Sequence, residues 1–526
     1  MILDNPYEAA LVARLEDYFV ASRHWCRQLW RIGSILESRE VAESWEAHHR
    51  GALSESSVQY LVQSTIRRVK YDLGFGTERQ RGNLIEHLKR RMAPGGHDSE
   101  ALAILLLRHQ DKYLLNWAQA LRRDEKPPME AVSRAVASHL MDAGFSRRAI
   151  SAWLKYEIRQ PDGPPVDAET LVHQANDLWL RSAEEYEIVI PVTASPPYEA
   201  SADSCWMTRS ETVAWMGKFF PDQAVRQTGA LRLLVKARDL PSALGVASDE
   251  VVKMIARFRV GARKRLEFSD DAYVAGKRII QDYRRKPRRV QVHGLQSTST
   301  IFQRNLPGNL DAVLELLEPL DEGTPAAAVA GSWAALEAMF IGPEDTRERV
   351  RAATRMARIL SCTYVVSELL ALASAYETTH ADAFSDRLRS TAENPMARAR
   401  LMERSIQDRS MALSFSNSRH QATMDRMRQL VDNPAVVLPR ITGQLEDAFR
   451  RLYRQRNLIL HAGELASMTL RGTLRTTAPL MGAGIDQVIR TSASRGLTPI
   501  QLAAQAEVDL KQVAEGDGFC LAHLLA

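Results

Sequence analysis

The stretch LYRQRNLILHAG, residues 452–463, has the pattern of the last turns of a helix that ends at a glycine. The apolar residues Leu445, Phe449, Leu452 and Ile459 recur at spacings of four, three and seven residues, as on one face of a helix. Gly463 is the residue type that most often terminates a helix in the left-handed conformation. The polar side chains among the leucines are Arg454, Arg456, Asn457 and His461. We predict a bundle helix over 442–462 whose end carries these groups.

Arg456 falls in the centre of the apolar stripe of this helix when residues are placed at about 100° each. A lone guanidinium is costly at such a position and needs an anion. The predicted helix Ala326–Phe340 offers one, because Glu337 lies four residues after Trp333 within its apolar stripe. We therefore predict an ion pair between Glu337 and Arg456 across the bundle.

His461 lies in the last turn, where the negative end of the helix dipole favours imidazolium and suits acid–base work or phosphate binding. Asn457 and Arg454 share its face, whereas Arg456 lies about 140° away. Two solutions follow for Arg456: either the helix is distorted, or arginine from one protomer works with histidine from the other. Arg454 remains the alternative arginine.

The composition is that of an ordinary globular protein of 526 residues, with 45% hydrophobic and 25% charged residues. This length predicts several domains. The four cysteines are scattered without CxxC spacing, which favours neither a disulfide framework nor a zinc site and fits a reducing cytoplasm. No continuous apolar run of about 18 residues is present, so we expect a soluble protein without membrane contact. No cofactor or metal is expected.

Arginine dominates the basic residues, with 57 Arg and 12 Lys making up the total of 69. The planar guanidinium suits phosphate and base recognition, which makes RNA a natural partner. A genome rich in G and C produces the same bias, so both explanations stay open.

Periodicity divides the chain into a mainly α protein of three parts. Residues 1–160 form a helical region, 167–305 a small central α+β module and possible sensor, and 309–526 a helical bundle. In the module, strands are predicted at 186–192, 230–237 and 265–274, with a helix capped by Ser248 or Asp249 before the last strand. The turn-rich residues 160–167 are predicted to be a linker.

Residues 138–154, SHLMDAGFSRRAISAWL, contain two short apolar runs around Gly144. They have the pattern of a helix-turn-helix pair or of an ordinary helical hairpin. The former would make the protein a DNA-binding regulator. Common catalytic motifs are missing from the sequence, which has no GxxxxGK[ST], HExxH or GxSxG. A P-loop ATPase, a zincin and an α/β-hydrolase are thereby disfavoured.

The segment RNLILHAG (456–463), preceded by LY, resembles the Arg-Asn-x-x-x-His signature of the HEPN superfamily, in particular its Apea-like branch in bacterial defence proteins. The resemblance extends to WAALEAMF (333–340) and RVRAATRMARIL (349–360) and covers residues 310–526. No such resemblance is found in the first 300 residues.

The resemblance implies a metal-independent endoribonuclease of helical-bundle fold, a homodimer that cuts tRNA or mRNA in abortive infection after a phage-derived trigger. Arg456 and His461 would be the catalytic pair, with Asn457 between them. The helix positions, not the resemblance, add Glu337 and Arg454 as supporting residues. The products of the ribonuclease would carry a 2′,3′-cyclic phosphate and a 5′-hydroxyl. The alternatives are a non-catalytic RNA-binding or scaffolding bundle and a DNA-binding regulator.

Overall fold

The computed structural model describes residues 5–20, 24–158, 167–193, 205–223, 229–261, 266–277, 280–284, 288, 290–304, 306, 309–345, 348–410, 413–516 and 519–526. The protein is mainly α, and these residues contain twenty-one α helices and one antiparallel sheet. The predicted fold class is confirmed. The chain forms two compact units, one of Met1–His139, Glu157–Asn176 and Arg288–Ala526 and one of Leu140–Tyr156 and Asp177–Pro287.

This division differs from the three parts predicted from the sequence, because the N-terminal helices and the C-terminal bundle belong to one unit. Ion pairs more than 400 residues apart in sequence join them, for example Arg454 with Glu40 at 2.8 Å. Local periodicity carries no information about such contacts. The predicted linker at 160–167 lies, apart from its last residue, outside the described residues.

The first part of the chain folds into short helices. These helices, whose connecting segments are only partly within the described residues, are α1 (Pro6–Phe19), α2 (Ser34–His49), α3 (Glu55–Val69), α4 (Glu78–Leu88), α5 (His97–Gln110), α6 (Tyr113–Leu121), α7 (Met129–Asp142), α8 (Arg147–Ile158) and α9 (Ala168–Leu180). The segment 138–154 forms the end of α7 and most of α8, joined at Gly144 with φ +96°, a conformation that glycine adopts without steric cost. Ile150 and Leu154 of α8 are buried.

The second unit is built on the sheet. Its elements are β1 (Glu184–Val192), β2 (Trp206–Thr208), α10 (Arg209–Phe219), β3 (Gly229–Ala237), α11 (Leu240–Gly261), β4 (Asp271–Val274) and β5 (Gln281–Asp282), with strand order β2-β3-β1-β4-β5. The first two predicted strands are confirmed, whereas only the end of the third, 271–274, is a strand. The helix begins at Leu240, earlier than predicted, because Asp239 accepts the amide of Ser242 at 2.8 Å and caps it.

The central strand β1 sends alternate side chains to opposite faces of the sheet. Ile188 and Ile190 pack with apolar residues of α11 on one face. Val189 packs on the other face with Trp215 and Met216 of α10. Each face of the sheet is thus covered by one helix within this unit.

The C-terminal part forms the helical bundle. After the short α12 (Gly294–Ser297) come α13 (Leu310–Glu322), α14 (Pro325–Phe340), α15 (Arg351–Thr379), α16 (Ala383–Ser390), α17 (Pro395–Gln407), α18 (Ser418–Asp432), α19 (Pro434–Ala462), α20 (Leu470–Arg495) and α21 (Pro499–Glu515). The predicted bundle helices are confirmed, although α19 starts at Pro434, eight residues before the predicted start at 442. The core of this unit runs through α13–α21.

Helix α15 is long and apolar enough to cross a membrane by composition, but 67% of its most apolar window is buried inside the fold. It packs against α14 and α16–α21 as the central helix of the bundle. This burial is typical of a core helix rather than of a membrane span.

Candidate active site

The last turn of α19 leaves the core of the bundle. Leu445, Phe449 and Leu452 are fully buried, whereas Leu460 is 52% exposed. The helix ends at Gly463, which has φ +66° and donates its amide to the carbonyl of Leu458. The polar groups of the last two turns therefore lie at a surface next to a rigid helix.

Three of these polar groups form one connected cluster. The Nη1 atom of Arg456 donates to Oδ1 of Asn457 at 2.9 Å and lies 3.1 Å from Nε2 of His461. Asn457 is buried, Arg456 is half-buried and His461 is exposed. The cluster thus has a buried anchor, a cation and an accessible imidazole.

The contact between Arg456 and His461 fixes which imidazole nitrogen carries the proton. A guanidinium only donates hydrogen bonds, so Nε2 of His461 must accept and the proton of the neutral ring must sit on Nδ1. No described residue supplies a carboxylate to Arg456, which forms its hydrogen bonds with Asn457 and His461. The site therefore pairs an unprotonated imidazole nitrogen with a cation that no acid neutralises.

The predicted ion pair between Glu337 and Arg456 is wrong. Glu337 accepts from Nε1 of Trp333, one turn earlier in α14, at 2.8 Å and pairs with Arg349 at 3.4 Å. The ring of Trp333 contacts that of Tyr453, with centroids 4.8 Å apart, so α14 supports α19 one turn before the cluster. The prediction failed because Arg456 is only half-buried and its guanidinium turns towards Asn457 and His461, so it does not need an acid in the core.

The sequence analysis placed Arg456 and His461 too far apart to meet within one chain, and this prediction is also wrong. On the helix their Cα positions are about 140° apart, but Asn457 and His461 share a face at i and i+4. The hydrogen bond to Asn457 turns the arginine head towards that face. The long arginine side chain bridges the angle, so neither helix distortion nor a second protomer is needed to bring the two groups together.

Arg454, the alternative arginine, points elsewhere. It is buried, and its Nε and Nη2 atoms both lie 2.8 Å from Oε1 of Glu40 in α2. The neighbouring Arg451 pairs with Glu40 at 2.9 Å and with Glu37 at 3.2 Å. The structure thus assigns Arg454 to the contact between α19 and α2 and Arg456 to the cluster.

This buried network was missed by the sequence analysis. Burial alone would raise the pKa of Glu37, but the guanidinium groups of Arg68 and Arg451 outweigh it and lower the pKa to about 2. The acids Glu37 and Glu40 lie three residues apart in α2. They face Arg451 and Arg454, which lie three residues apart in α19. This complementary spacing was the only signal available in the sequence.

Helix α2 also holds the segment that follows the cluster. The carboxylate of Glu43 accepts the hydroxyl of Ser467 at 3.0 Å and the amide of Met468 at 3.3 Å. Burial and then the nearby carboxylate of Glu40 raise the pKa of Glu43 to about 7. A charge on Glu43 therefore disfavours the folded arrangement next to the site.

We expect Glu43→Gln to stabilise the protein at pH 8 and to have almost no effect at pH 4. Because the folded pKa is above the ordinary value of 4.5, the stability that Glu43 contributes is present below pH 4.5 and is lost as the pH rises through 7. The expected gain at pH 8 is about 2 kcal/mol. Thermal unfolding at the two pH values measures it.

The matched control is Glu46→Gln on the same helix, where the side chain is exposed. It should leave the thermal midpoint unchanged at both pH values. Equal midpoints for wild type and Glu43→Gln at pH 8 would contradict the assignment.

One group of metal-ligating residue types lies outside the cluster. Ligand atoms of His24, Cys26 and Glu368 lie within 4.8 Å of one another. However, Glu368 pairs with Arg27 at 3.7 Å and with Arg426 at 3.8 Å, and burial raises the pKa of the Cys26 thiol. The carboxylate thus already faces two cations, and a thiol with a raised pKa is a poor metal ligand.

Comparisons with known proteins find none that is similar to this chain. No protein-family model matches the chain, and neither a curated protein nor a solved structure does so. The interpretation of the cluster therefore depends on its own geometry and on the motif resemblance.

Proposed function

We propose that the protein is a metal-independent endoribonuclease of the HEPN type, with Arg456 and His461 as catalytic residues. The observation that carries the proposal is the 3.1 Å contact between Nη1 of Arg456 and Nε2 of His461 at an exposed helix end. It brings together a base and a cation that no described acid neutralises, the two groups that RNA transesterification requires.

The reaction would start when a phosphate replaces His461 as the partner of Arg456. Nε2 of His461 is then free to take the proton from the ribose 2′-hydroxyl, and the 2′-oxygen attacks the adjacent phosphorus. Arg456 donates to a non-bridging oxygen and stabilises the added negative charge. The bond to the 5′-oxygen breaks, that oxygen takes up a proton, and the products carry a 2′,3′-cyclic phosphate and a 5′-hydroxyl.

Asn457 has a positioning role in this scheme. It is 5% exposed and its Oδ1 holds the guanidinium of Arg456 at 2.9 Å. Because the amide is fixed by burial, it keeps the arginine head next to His461 when the phosphate binds. The half-buried Glu337 and the buried Arg454 lie outside the reacting set and support α19 through Trp333 and Glu40.

The proposal includes a cellular role and an oligomeric state for the protein. A cytoplasmic toxin that cuts tRNA or mRNA after a phage-derived trigger agrees with the resemblance to bacterial defence proteins. Homodimerisation through the bundle agrees with the exposed Leu460, Leu465 and Met468, which flank His461 in the sequence and are 52%, 62% and 49% exposed. Such apolar residues around a polar site are typical of interfaces.

Labelled RNA mixed with the full-length protein in EDTA tests the activity. We expect fragments with cyclic-phosphate and 5′-hydroxyl ends from the wild type and at least about a hundredfold slower cleavage by His461→Ala. Expression in cells gives a second readout, since the wild type should arrest growth and the variant should not.

His49→Ala is the matched control, because His49 is also an exposed histidine near a helix end. It should cleave and arrest growth like the wild type. Undiminished cleavage by His461→Ala would rule out the catalytic role, and a wild type that neither cuts RNA nor arrests growth would favour the scaffolding alternative.

A further inference from the structure

A cavity of about 800 Å³ lies within the first unit, enclosed by α3, α6 and α7 on one side and by α18 and α19 on the other. Its volume falls in the range of sites for small molecules rather than for macromolecules. Seven arginines and three acidic residues line it, so its wall is strongly cationic. It is separate from the cluster at the end of α19.

The acidic residues that line the cavity already have hydrogen-bond or ion-pair partners. Glu130 pairs with Arg14 at 3.0 Å and with Arg134 at 2.8 Å. Asp447 accepts from Arg31 at 3.0 Å and from the hydroxyl of Ser64 at 2.9 Å. Each carboxylate serves more than one donor, which leaves a surplus of positive charge facing the cavity.

Several guanidinium nitrogens have no hydrogen-bond partner within the described part of the chain. They are Nε of Arg31 and Nε and Nη1 of Arg426, all buried atoms. Arg426 donates to the hydroxyl of Thr423 at 3.0 Å and has only a distant ion pair with Glu368. Burial and the neighbouring Arg68 lower the pKa of Arg31 to about 10, although Asp447 acts in the opposite direction. Buried unpaired donors of this kind are costly unless an anion binds them.

The mouth of the cavity adds two exposed arginines and an aromatic ring. Arg67 and Arg440 line the mouth, and neither has a carboxylate partner among the residues described here. Tyr71 follows Arg67 by four residues and is 73% exposed. Deeper in the wall, Nε1 of Trp117 is buried without a hydrogen-bond acceptor in the described structure.

We propose that this cavity binds a nucleoside polyphosphate, with the phosphates on Arg31 and Arg426 and the base at the mouth against Tyr71. Guanidinium groups suit phosphate oxygens, and an exposed ring next to them suits a heterocyclic base. The aromatic residues favour a nucleotide over inorganic polyphosphate. Binding of this ligand does not depend on the proposed ribonuclease activity.

Titration of the full-length protein with ATP, GTP and inorganic tripolyphosphate, followed by calorimetry and thermal unfolding, tests the proposal. We expect ATP or GTP to bind and raise the thermal midpoint, and to bind at least tenfold more tightly than tripolyphosphate. Arg67→Glu and Arg440→Glu, both exposed positions, should fold normally and weaken nucleotide binding at least tenfold.

Arg428→Glu is the matched control, since Arg428 is an arginine of α18 with a 41% exposed side chain and does not line the cavity. Its nucleotide affinity should equal that of the wild type. The proposal is overturned if neither nucleotide binds, if tripolyphosphate binds as tightly as the nucleotides, or if Arg67→Glu and Arg440→Glu bind like the control.

Discussion

Glu40→Met is expected to destabilise the first unit by about 3–5 kcal/mol, the cost of removing one partner from a buried ionic network. Glu40 is 1% exposed and is the acid that Arg454 contacts, while Arg451 has Glu37 as a second partner. The substitution leaves the guanidinium of Arg454 buried without an anion. Urea unfolding followed by helical circular dichroism measures the change.

Two further variants separate the charge effect from the loss of a side chain. Glu46→Met makes the same change on the same helix at an exposed position and should shift stability by less than about 0.5 kcal/mol. The double variant Glu40→Met with Arg454→Met should recover more than half of the loss, because the orphaned charge is removed with its partner. A double variant as unstable as Glu40→Met alone would refute the network as the cause.

The sequence analysis predicted the elements of the fold well and their assembly poorly. Strands at 186–192 and 230–237 and the helix ending at Gly463 were found because period, β-branched residues and glycine are local signals. The joining of the N-terminal helices to the bundle depends on contacts such as Glu40 with Arg454, which no local pattern contains. Pattern reasoning therefore placed a domain boundary within one unit.

The candidate site shows the same limit. The residue types Arg456, Asn457 and His461 were identified from the motif, but their arrangement was predicted incorrectly from Cα angles alone. The reach of an arginine side chain and the hydrogen bond to Asn457 decide the geometry. The burial of Arg456 was likewise overestimated, because a helical projection does not show where a helix leaves the core.

Arg456→Ala is expected to slow RNA cleavage by about 10²- to 10³-fold, the usual cost of losing one donor to the charged transition state. Its stability should change little, since the side chain is half-buried and has no acid partner in the described structure. Arg454→Ala should have the opposite effects. It should lower the urea midpoint, because Glu40 loses one partner, and leave cleavage by the folded protein nearly unchanged. Cleavage rates and unfolding curves of both variants test this division of roles.

A mixing experiment decides whether one chain supplies the whole site. Because Arg456 and His461 contact each other within one chain at 3.1 Å, equal amounts of Arg456→Ala and His461→Ala co-refolded or co-expressed should remain inactive. If the pair instead met across a symmetric dimer, half of the dimers would be mixed and each would hold one intact site of two. That arrangement restores about a quarter of the wild-type rate. Recovery to that level would show that the contact within the chain is not the catalytic one, and its absence, with both variants shown to dimerise with wild type, supports a site complete in each protomer.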